Sequence, residues 1–193
     1  MNKLFVVLFA VMCLVQWIIP AKMIYDSEHT IAAGELYKFK TEPIDPSDPF
    51  RGKYITLNFE TEYLEFHEST TDCQPDQEAF VTFTSDPSGY AVPLEIHHDE
   101  PESGNYLRTS VLNVGRFDER FRIQFDLPFN RFYMEESKAP EAEKLYWEAL
   151  RDTVQVAYGL VSIGKGRAVL QNVFVNDKAI ADIIEEKRAT SEE

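Results

Sequence analysis

Residues 53–66 of the chain read KYITLNFETEYLEF, and their first half alternates apolar and polar side chains. Ile55, Leu57 and Phe59 occupy every second position, so an extended backbone places them on one face. The residues between them, each of which carries a polar group, then point to the opposite face. This alternation is typical of a β-strand that is buried on one side and exposed on the other, and it sets the class of fold to look for.

Similar runs follow one another between Leu36 and Val175, separated by turn residues. The tetrapeptide Asp86-Pro87-Ser88-Gly89 is typical of a type I turn and predicts a hairpin between the runs on either side of it. Pro93 within the second of these runs predicts an edge strand or a bulge. The other predicted strands are ELYKFKT (35–41), AFVTFT (79–84), YAVPLEI (90–96), NYLRTSVLNV (105–114), RFRIQFDL (120–127), VQVAYGLVSI (154–163) and RAVLQNVFV (167–175).

One segment among these runs has helical periodicity. Ala142, Leu145 and Ala149 follow one another at spacings of three and four residues, and Pro140 before them suits the first turn of a helix. This pattern predicts an α-helix over about residues 138–151. Eight or so strands with one helix cannot cover both faces of a single sheet. The chain is therefore predicted to be mainly β, with an antiparallel β-sandwich or a partly closed barrel as its architecture.

The N-terminus carries a long apolar stretch. Residues 4–19 read LFVVLFAVMCLVQWII, in which Gln16 is the only polar residue, and apolar residues continue to Ile24 with Lys22 as an interruption. About twenty apolar residues at 1.5 Å each cross a hydrocarbon core of roughly 30 Å. No small-residue cleavage site follows the stretch, which favours an uncleaved signal-anchor over a cleaved signal peptide. A buried core helix is the third alternative.

The chain is therefore expected to have three parts. Residues 1–24 form a transmembrane anchor that contacts the lipid bilayer through residues 4–24, residues 25–186 form a β-rich domain, and residues 187–193 form a charged tail after a short helix. Lys3 and the terminal amine favour a cytoplasmic N-terminus and a single-pass arrangement. The domain then lies outside the cytoplasm, on the periplasmic side of the inner membrane in a Gram-negative cell.

The chain is acidic, with 33 acidic and 19 basic side chains and a net charge of −14. This balance excludes nucleic acid as a partner, since that class of protein needs basic residues against the phosphates. It also disfavours docking on anionic lipids through a basic surface. Cys13 lies within the apolar stretch and Cys73 far beyond it, so no disulfide between them is expected.

Patterns that carry known chemistry are scarce in the sequence. It lacks the spacings of zinc sites, EF-hands, phosphate loops and G-x-S-x-G nucleophiles, so neither a metal nor a cofactor is expected. The cluster His97-His98-Asp99-Glu100 has metal-ligand residue types, but adjacent histidines in a strand project to opposite sides, which favours a solvated loop. Glu135 and Glu136 suit acid–base work, although carboxylates also favour a helix N-terminus.

A proline-rich segment, residues 43–50, leads into Arg51-Gly52-Lys53-Tyr54, where Gly52 allows a close backbone approach or a positive φ. The stretch resembles the signature of the GDYXXLXY family, in the form Gly52-Lys53-Tyr54-x-x-Leu57-x-Phe59. Lysine stands in place of the signature's aspartate, and phenylalanine in place of its final tyrosine. A second stretch, RFYMEE at residues 131–136, is similar to another block of the family, an aromatic pair followed by an acid.

The resemblance implies a membrane-anchored, extracytoplasmic bacterial domain that is associated with polytopic membrane proteins and has no established activity. Donors in the first block and carboxylates in the second are complementary, so Arg51 or Tyr54 is expected to contact residues 131–136. The candidate interaction residues are Arg51, Gly52, Tyr54, Leu57, Phe59, Arg131, Tyr133, Glu135 and Glu136.

Three functions are compatible with these features. The favoured hypothesis is a non-enzymatic domain that acts through contact with a membrane-protein partner. The alternative is a module that binds a small ligand or a cation through its acidic loops. A hydrolase-type enzyme that uses Glu135, with Tyr133 and Arg51, is the least favoured because no catalytic pattern accompanies these residues.

The first testable prediction concerns the apolar stretch. Because no cleavage site follows it, the chain recovered from its own membranes should still contain the peptide from Leu4 to Ile24. Mass spectrometry of the membrane fraction measures this directly. A mature N-terminus near Met23 would show that the stretch is a cleaved signal peptide.

Overall fold

The computed structural model describes residues 3–42, 54–66, 73–117, 120–135, 137–151 and 156–191. The helices are α1 (Lys3–Ala33), α2 (Ala139–Arg151) and α3 (Ile180–Ser191). The strands are β1 (Glu35–Lys40), β2 (Tyr54–Thr56), β3 (Tyr63–Phe66), β4 (Glu78–Ser85), β5 (Ala91–His97), β6 (Leu107–Phe117), β7 (Arg120–Phe125), β8 (Arg131–Tyr133), β9 (Ala157–Gly164), β10 (Arg167–Val175) and β11 (Lys178–Ala179).

The strands form two main antiparallel sheets. The four-stranded sheet has the order β1-β9-β10-β11, and the five-stranded sheet has the order β3-β7-β6-β4-β5. A separate two-stranded ladder joins β2 to β8. No sheet closes into a barrel among the described strands, and the arrangement is sandwich-like. The prediction of a mainly β, antiparallel sandwich is confirmed, and the predicted helix at 138–151 is α2.

The two sheets meet at a cluster of phenylalanine rings, called here the aromatic core. Phe39 of β1 is fully buried, and its ring centroid lies 5.2 Å from that of Phe83 on β4. The rings of Phe59 and Phe129 lie 5.8 and 4.9 Å from Phe39 and 5.3 Å from each other. Edge-to-face and tilted pairs at such distances are favourable beyond the burial of their apolar area. The aromatic core therefore holds both sheets and the segments around β2 and β8 together.

The predicted turn chemistry is present in the hairpins. The Asp86 carboxylate accepts the N–H groups of Ser88 and Tyr90, each at 2.8 Å, in the turn between β4 and β5. Strand β5 is an edge of its sheet, and its register against β4 shifts next to Pro93. Pro93 therefore lies both on an edge strand and at a bulge, where its lack of an N–H group to donate to a neighbouring strand is tolerated.

The stretch that predicted a single strand at 53–66 is divided in the structure. Strand β2 ends at Thr56 and β3 begins at Tyr63. Between them Phe59 pairs with Thr41, and the N–H of Glu60 donates to the carbonyl of Lys40 at 3.1 Å. The chain thus leaves the ladder of β2 and passes beside β1 before it enters the five-stranded sheet. The apolar side chains change from odd positions, ending at Phe59, to even positions, beginning at Leu64, across this crossing, and the sequence does not show which strands lie on either side of it.

Helix α1 extends past the predicted end of the anchor at residue 24 and continues to Ala33. It is long and apolar enough to span a membrane, and none of its apolar window is buried against the domain. The alternative of a buried core helix is therefore wrong. Near its C-terminal end the helix meets β9 and β10 of the four-stranded sheet.

The junction between α1 and the sheet, called here the helix junction, is closely packed. Thr30 is the one buried residue of α1 within its described length, and the Asp26 carboxylate pairs with Arg167 of β10 at 2.8 Å. A Cβ atom at Gly34 would lie 2.9 Å from the carbonyl oxygen of Ile163, and even closer to that of Thr30. Only glycine fits this approach without a backbone shift.

The other two helices pack on the same sheet and on each other. Tyr146 of α2 and Ile180 and Ile184 of α3 are almost fully buried. Arg188 pairs with Glu141 at 2.8 Å, which ties the end of α3 to α2. The described residues of the predicted tail, 187–191, therefore belong to α3.

The second testable prediction concerns the aromatic core. Replacement of Phe39 by alanine leaves a cavity where four rings meet, and we expect a loss of about 3–5 kcal/mol in the free energy of unfolding. Denaturant unfolding of the full chain in detergent, followed by fluorescence, measures it. Leu94→Ala is the control, since Leu94 is 56 % exposed on β5 and its truncation should change stability by less than about 0.5 kcal/mol. Equal losses in both variants would contradict the central position of Phe39.

Candidate functional site

The two family-like blocks lie side by side in the structure. Strand β2 pairs antiparallel with β8, with Tyr54 opposite Tyr133 and Thr56 opposite Arg131. The N–H of Leu57 donates to the carbonyl of Asn130 at 2.9 Å and continues the ladder. The expectation that Tyr54 meets residues 131–136 is confirmed by this pairing. Arg51, Gly52 and Glu136 lie outside the described residues, and so does the segment that leads into Arg51.

Two of the candidate residues are parts of the core. Leu57 is 2 % exposed and Phe59 is 1 % exposed. A Cβ atom at Gly159 of β9 would lie 3.2 Å from the ring of Phe59, which shows how tightly the ring is enclosed. A tyrosine hydroxyl at position 59 would need a buried hydrogen-bond partner, whereas phenylalanine needs none. These two positions of the motif are explained by packing.

Arg131, Tyr133 and Glu135 of the second block face solvent. Tyr133 is 64 % exposed on β8, and Arg131 is also exposed. The Glu135 carboxylate accepts a hydrogen bond from the Ser137 hydroxyl at 2.8 Å. Its main-chain carbonyl accepts the N–H groups of Lys138 and Ala139 at the start of α2. Glu135 therefore supports the helix entry, and it does not line the larger cavities formed by the described residues.

A half-buried carboxylate lies close to the motif. Burial raises the pKa of Glu62, and the charges of Glu42 and Asp126 raise it further. Hydrogen bonds from the main chain of Phe59 and from the Gln124 side chain lower the pKa of Glu62 in part. No sequence pattern marks Glu62, because Glu42, Glu62 and Asp126 are distant in sequence and come together only in the fold.

A groove of about 650 Å³ opens between the edges of β3 and β5, at the opposite end of β1 from α1. Its charged groups already have partners inside the protein. Lys40 pairs with Glu60 at 2.7 Å, and Glu65 pairs with Arg120 and Arg122 at 3.1 and 2.6 Å. The groove is open to solvent, and ion pairs join the charged groups of its walls.

The residues around His97 form polar contacts with one another at the surface. His97 Nε2 lies 3.2 Å from the Glu95 carboxylate, and the Tyr106 hydroxyl donates to Glu100. Within the described ranges no three His, Cys, Asp or Glu side chains are grouped so that they could hold a metal ion.

Beside the groove lies a second polar cluster that the sequence analysis did not identify. The Tyr158 hydroxyl donates to Asp177 at 2.8 Å, and the ammonium of Lys38 lies 4.9 Å from the centre of the Tyr158 ring. Burial, with the contact to Asp177, raises the pKa of Tyr158. Asn176 and Asp177 have positive φ angles of 51° and 62° in the turn before β11. Asn-Asp between two β-runs is the sequence signal that could have located this turn.

The third testable prediction follows from Glu62. Its pKa in the folded state is raised above the ordinary 4.5, so the folded state is fully stabilised only below the unfolded pKa and loses stability as pH rises through the folded pKa. Glu62→Gln removes the charge and keeps a hydrogen-bond acceptor. We expect the variant to unfold at a higher denaturant concentration than wild type at neutral pH, with the difference vanishing towards about pH 4.

Glu65→Gln is the matched control for this prediction. Hydrogen bonds from Arg122 and Arg120 lower the pKa of Glu65, so its contribution to stability is present at neutral pH and is lost on acidification. Glu65→Gln should therefore lower the unfolding midpoint at neutral pH. A lower midpoint for Glu62→Gln as well would show that the Glu62 carboxylate is stabilised in the fold.

The comparisons with known proteins agree with the motif. No curated protein and no solved structure matches the chain. The sequence model of one family, described as GDYXXLXY protein, matches residues 16–173, a region that includes both paired blocks and all of the strands from β1 to β9. The chain belongs to the GDYXXLXY family.

Proposed function

We propose that the chain is a single-pass membrane protein whose β-rich domain acts by contact with a membrane-protein partner. In this proposal α1 stays attached as the anchor, the N-terminus is cytoplasmic, and the domain lies on the extracytoplasmic side. The observation that carries the proposal is the continuity of α1, which runs without a break from its apolar stretch into the four-stranded sheet.

The helix junction supports contact at a defined height above the membrane. A domain that is only tethered needs no more than a flexible linker. Here Thr30 is buried, Asp26 is ion-paired with Arg167, and Gly34 fits a backbone approach that admits no side chain. Nine residues separate Ile24 from Ala33, a helical length of about 14 Å. The domain is thereby held close to the membrane surface, where another membrane protein would meet it.

The exposed side of the motif ladder supplies a contact surface. Leu57 and Phe59 are used by the core, which leaves Arg131 and Tyr133 on β8 facing outward. Tyrosine and arginine are enriched in the cores of protein interfaces because they combine large contact area with hydrogen-bonding groups. We therefore assign the outward face of β8 to partner contact.

A small-ligand module remains the second candidate, and the groove between β3 and β5 is the observation that favours it. Its size of about 650 Å³ falls within the range of small-molecule sites. Its charged groups are paired within the protein, however, so a ligand would have to compete with existing ion pairs. Thermal shifts of the full chain on addition of small cations and organic ligands test this candidate.

The fourth testable prediction concerns partner capture. We expect the full chain with a C-terminal affinity tag, extracted from its own membranes in mild detergent, to co-purify with one integral membrane protein in near-stoichiometric amount. Tyr133→Ala should lower the recovered partner by about tenfold, the equivalent of about 1.4 kcal/mol in binding. Quantitative mass spectrometry against the untagged chain measures both.

Leu94→Ala is the matched control, because Leu94 is similarly exposed on a different strand. It should leave the recovery of the partner unchanged. The absence of any enriched membrane protein with the wild-type chain would contradict the proposed function. Equal losses with both variants would contradict the assignment of β8 while leaving partner contact itself standing.

A further inference from the structure

Gln16 is the one polar residue in the apolar run from Leu4 to Ile19. Its side chain is exposed and forms no hydrogen bond with any described residue. In a helix that spans the membrane from Leu4 to Ile24, Gln16 lies about 18 Å from one end and about 12 Å from the other, well inside the hydrocarbon core. A carboxamide at that depth is costly to bury without a hydrogen-bond partner. Helix–helix contacts in membranes commonly supply such a partner.

Helix α1 is continuous from Gln16 through Pro20 to Thr30, so the turn of the helix relates the direction of the Gln16 side chain to the domain. With 3.6 residues per turn, Gln16 lies about 40° around the helix from Thr30. Thr30 is the residue through which α1 is buried against the domain. The domain therefore extends outward from α1 on nearly the same side as the Gln16 side chain. Whatever binds Gln16 lies in the membrane beneath the domain.

This geometry excludes a second copy of the chain as the occupant of that side. Paired helices lie 8–10 Å apart, whereas a domain of about 160 residues has a radius of gyration of about 15 Å. In a symmetric pair joined through Gln16, each domain would extend over the other helix, and the two would need the same space. The net charge also opposes a pair of copies, because 33 acidic and 17 of the 19 basic side chains lie beyond residue 24. Each copy therefore carries a net charge of −16 in that part of the chain.

We infer that the Gln16 side of α1 binds a transmembrane helix of a different protein, and that this helix ends or turns at the membrane surface beneath the domain. The Gln16 carboxamide both donates and accepts hydrogen bonds. A serine, threonine, asparagine or glutamine side chain on the other helix is therefore a suitable hydrogen-bond partner. Met12, Ile19 and Met23 lie on the same side within about 60° and complete the contact. Leu14 and Ile18 lie on the opposite side of the helix.

The inference rests on the proposed function and specifies where the partner binds. Its test uses the full chain in its own membranes, with a photoreactive amino acid placed at one position at a time. Met12 and Ile19 probe the Gln16 side, and Leu14 and Ile18 are the matched controls on the far side. We expect illumination to yield an adduct from Met12 and Ile19 at least fivefold above that from the controls. Its mass should exceed that of the chain by an amount that is not a second copy.

Gln16→Leu should lower the adduct yield from Ile19 at least fivefold. The double variant Gln16→Leu with Ile18→Gln places the carboxamide on the far side of the helix, and it should not restore that yield. Equal yields from all four positions, an adduct of twice the chain mass, or a yield that is unchanged in Gln16→Leu would each overturn the inference. If the affinity capture described above still recovers a partner in those cases, the proposed function survives without this contact. Failure of both the capture and the crosslinking would reject the two together.

Discussion

The contact of Phe39 with three other phenylalanine rings is the interaction on which the remaining structure depends. Phe39 belongs to the four-stranded sheet and Phe83 to the five-stranded sheet, while Phe59 and Phe129 belong to the segments that form the motif ladder. Burial of these apolar rings stabilises the contact between the two sheets. The position of the ladder follows from it, because Phe59 enters the core three residues after β2 ends.

This arrangement divides the family motif into two parts with different tasks. Its buried side chains, Leu57 and Phe59, hold the sandwich together, while Arg131 and Tyr133 on the paired strand face outward. A signature of this kind marks a scaffold as well as a surface, since a packed core tolerates few side chains at a given position. Glu135, which resembles a catalytic acid in the sequence, contributes to the entry of α2 through its carbonyl and its carboxylate.

The same sheet that carries Phe39 also contacts α1, the helix that is long and apolar enough to span a membrane. Strand β1 begins one residue after Gly34, and β9 and β10 of the same sheet contact α1. The aromatic core, the helix junction and the apolar stretch are therefore mechanically continuous through a few residues. Because α1 is continuous with this packed junction, a side chain in its apolar stretch has a defined direction relative to the domain, which a flexible linker would not give.

The sequence by itself determined the features that depend on neighbouring residues. Alternation identified most of the strands, Asp86-Pro87-Ser88-Gly89 identified a hairpin, Pro93 identified an edge, and the spacing around Ala142 identified α2. The tertiary structure alone decided where the stretch at 53–66 crosses between sheets, which strand β2 joins, and that Glu62 approaches Glu42 and Asp126. The physical reason is that a two-residue periodicity in the sequence shows which face of a strand is buried. Which neighbour buries that face is decided by long-range packing.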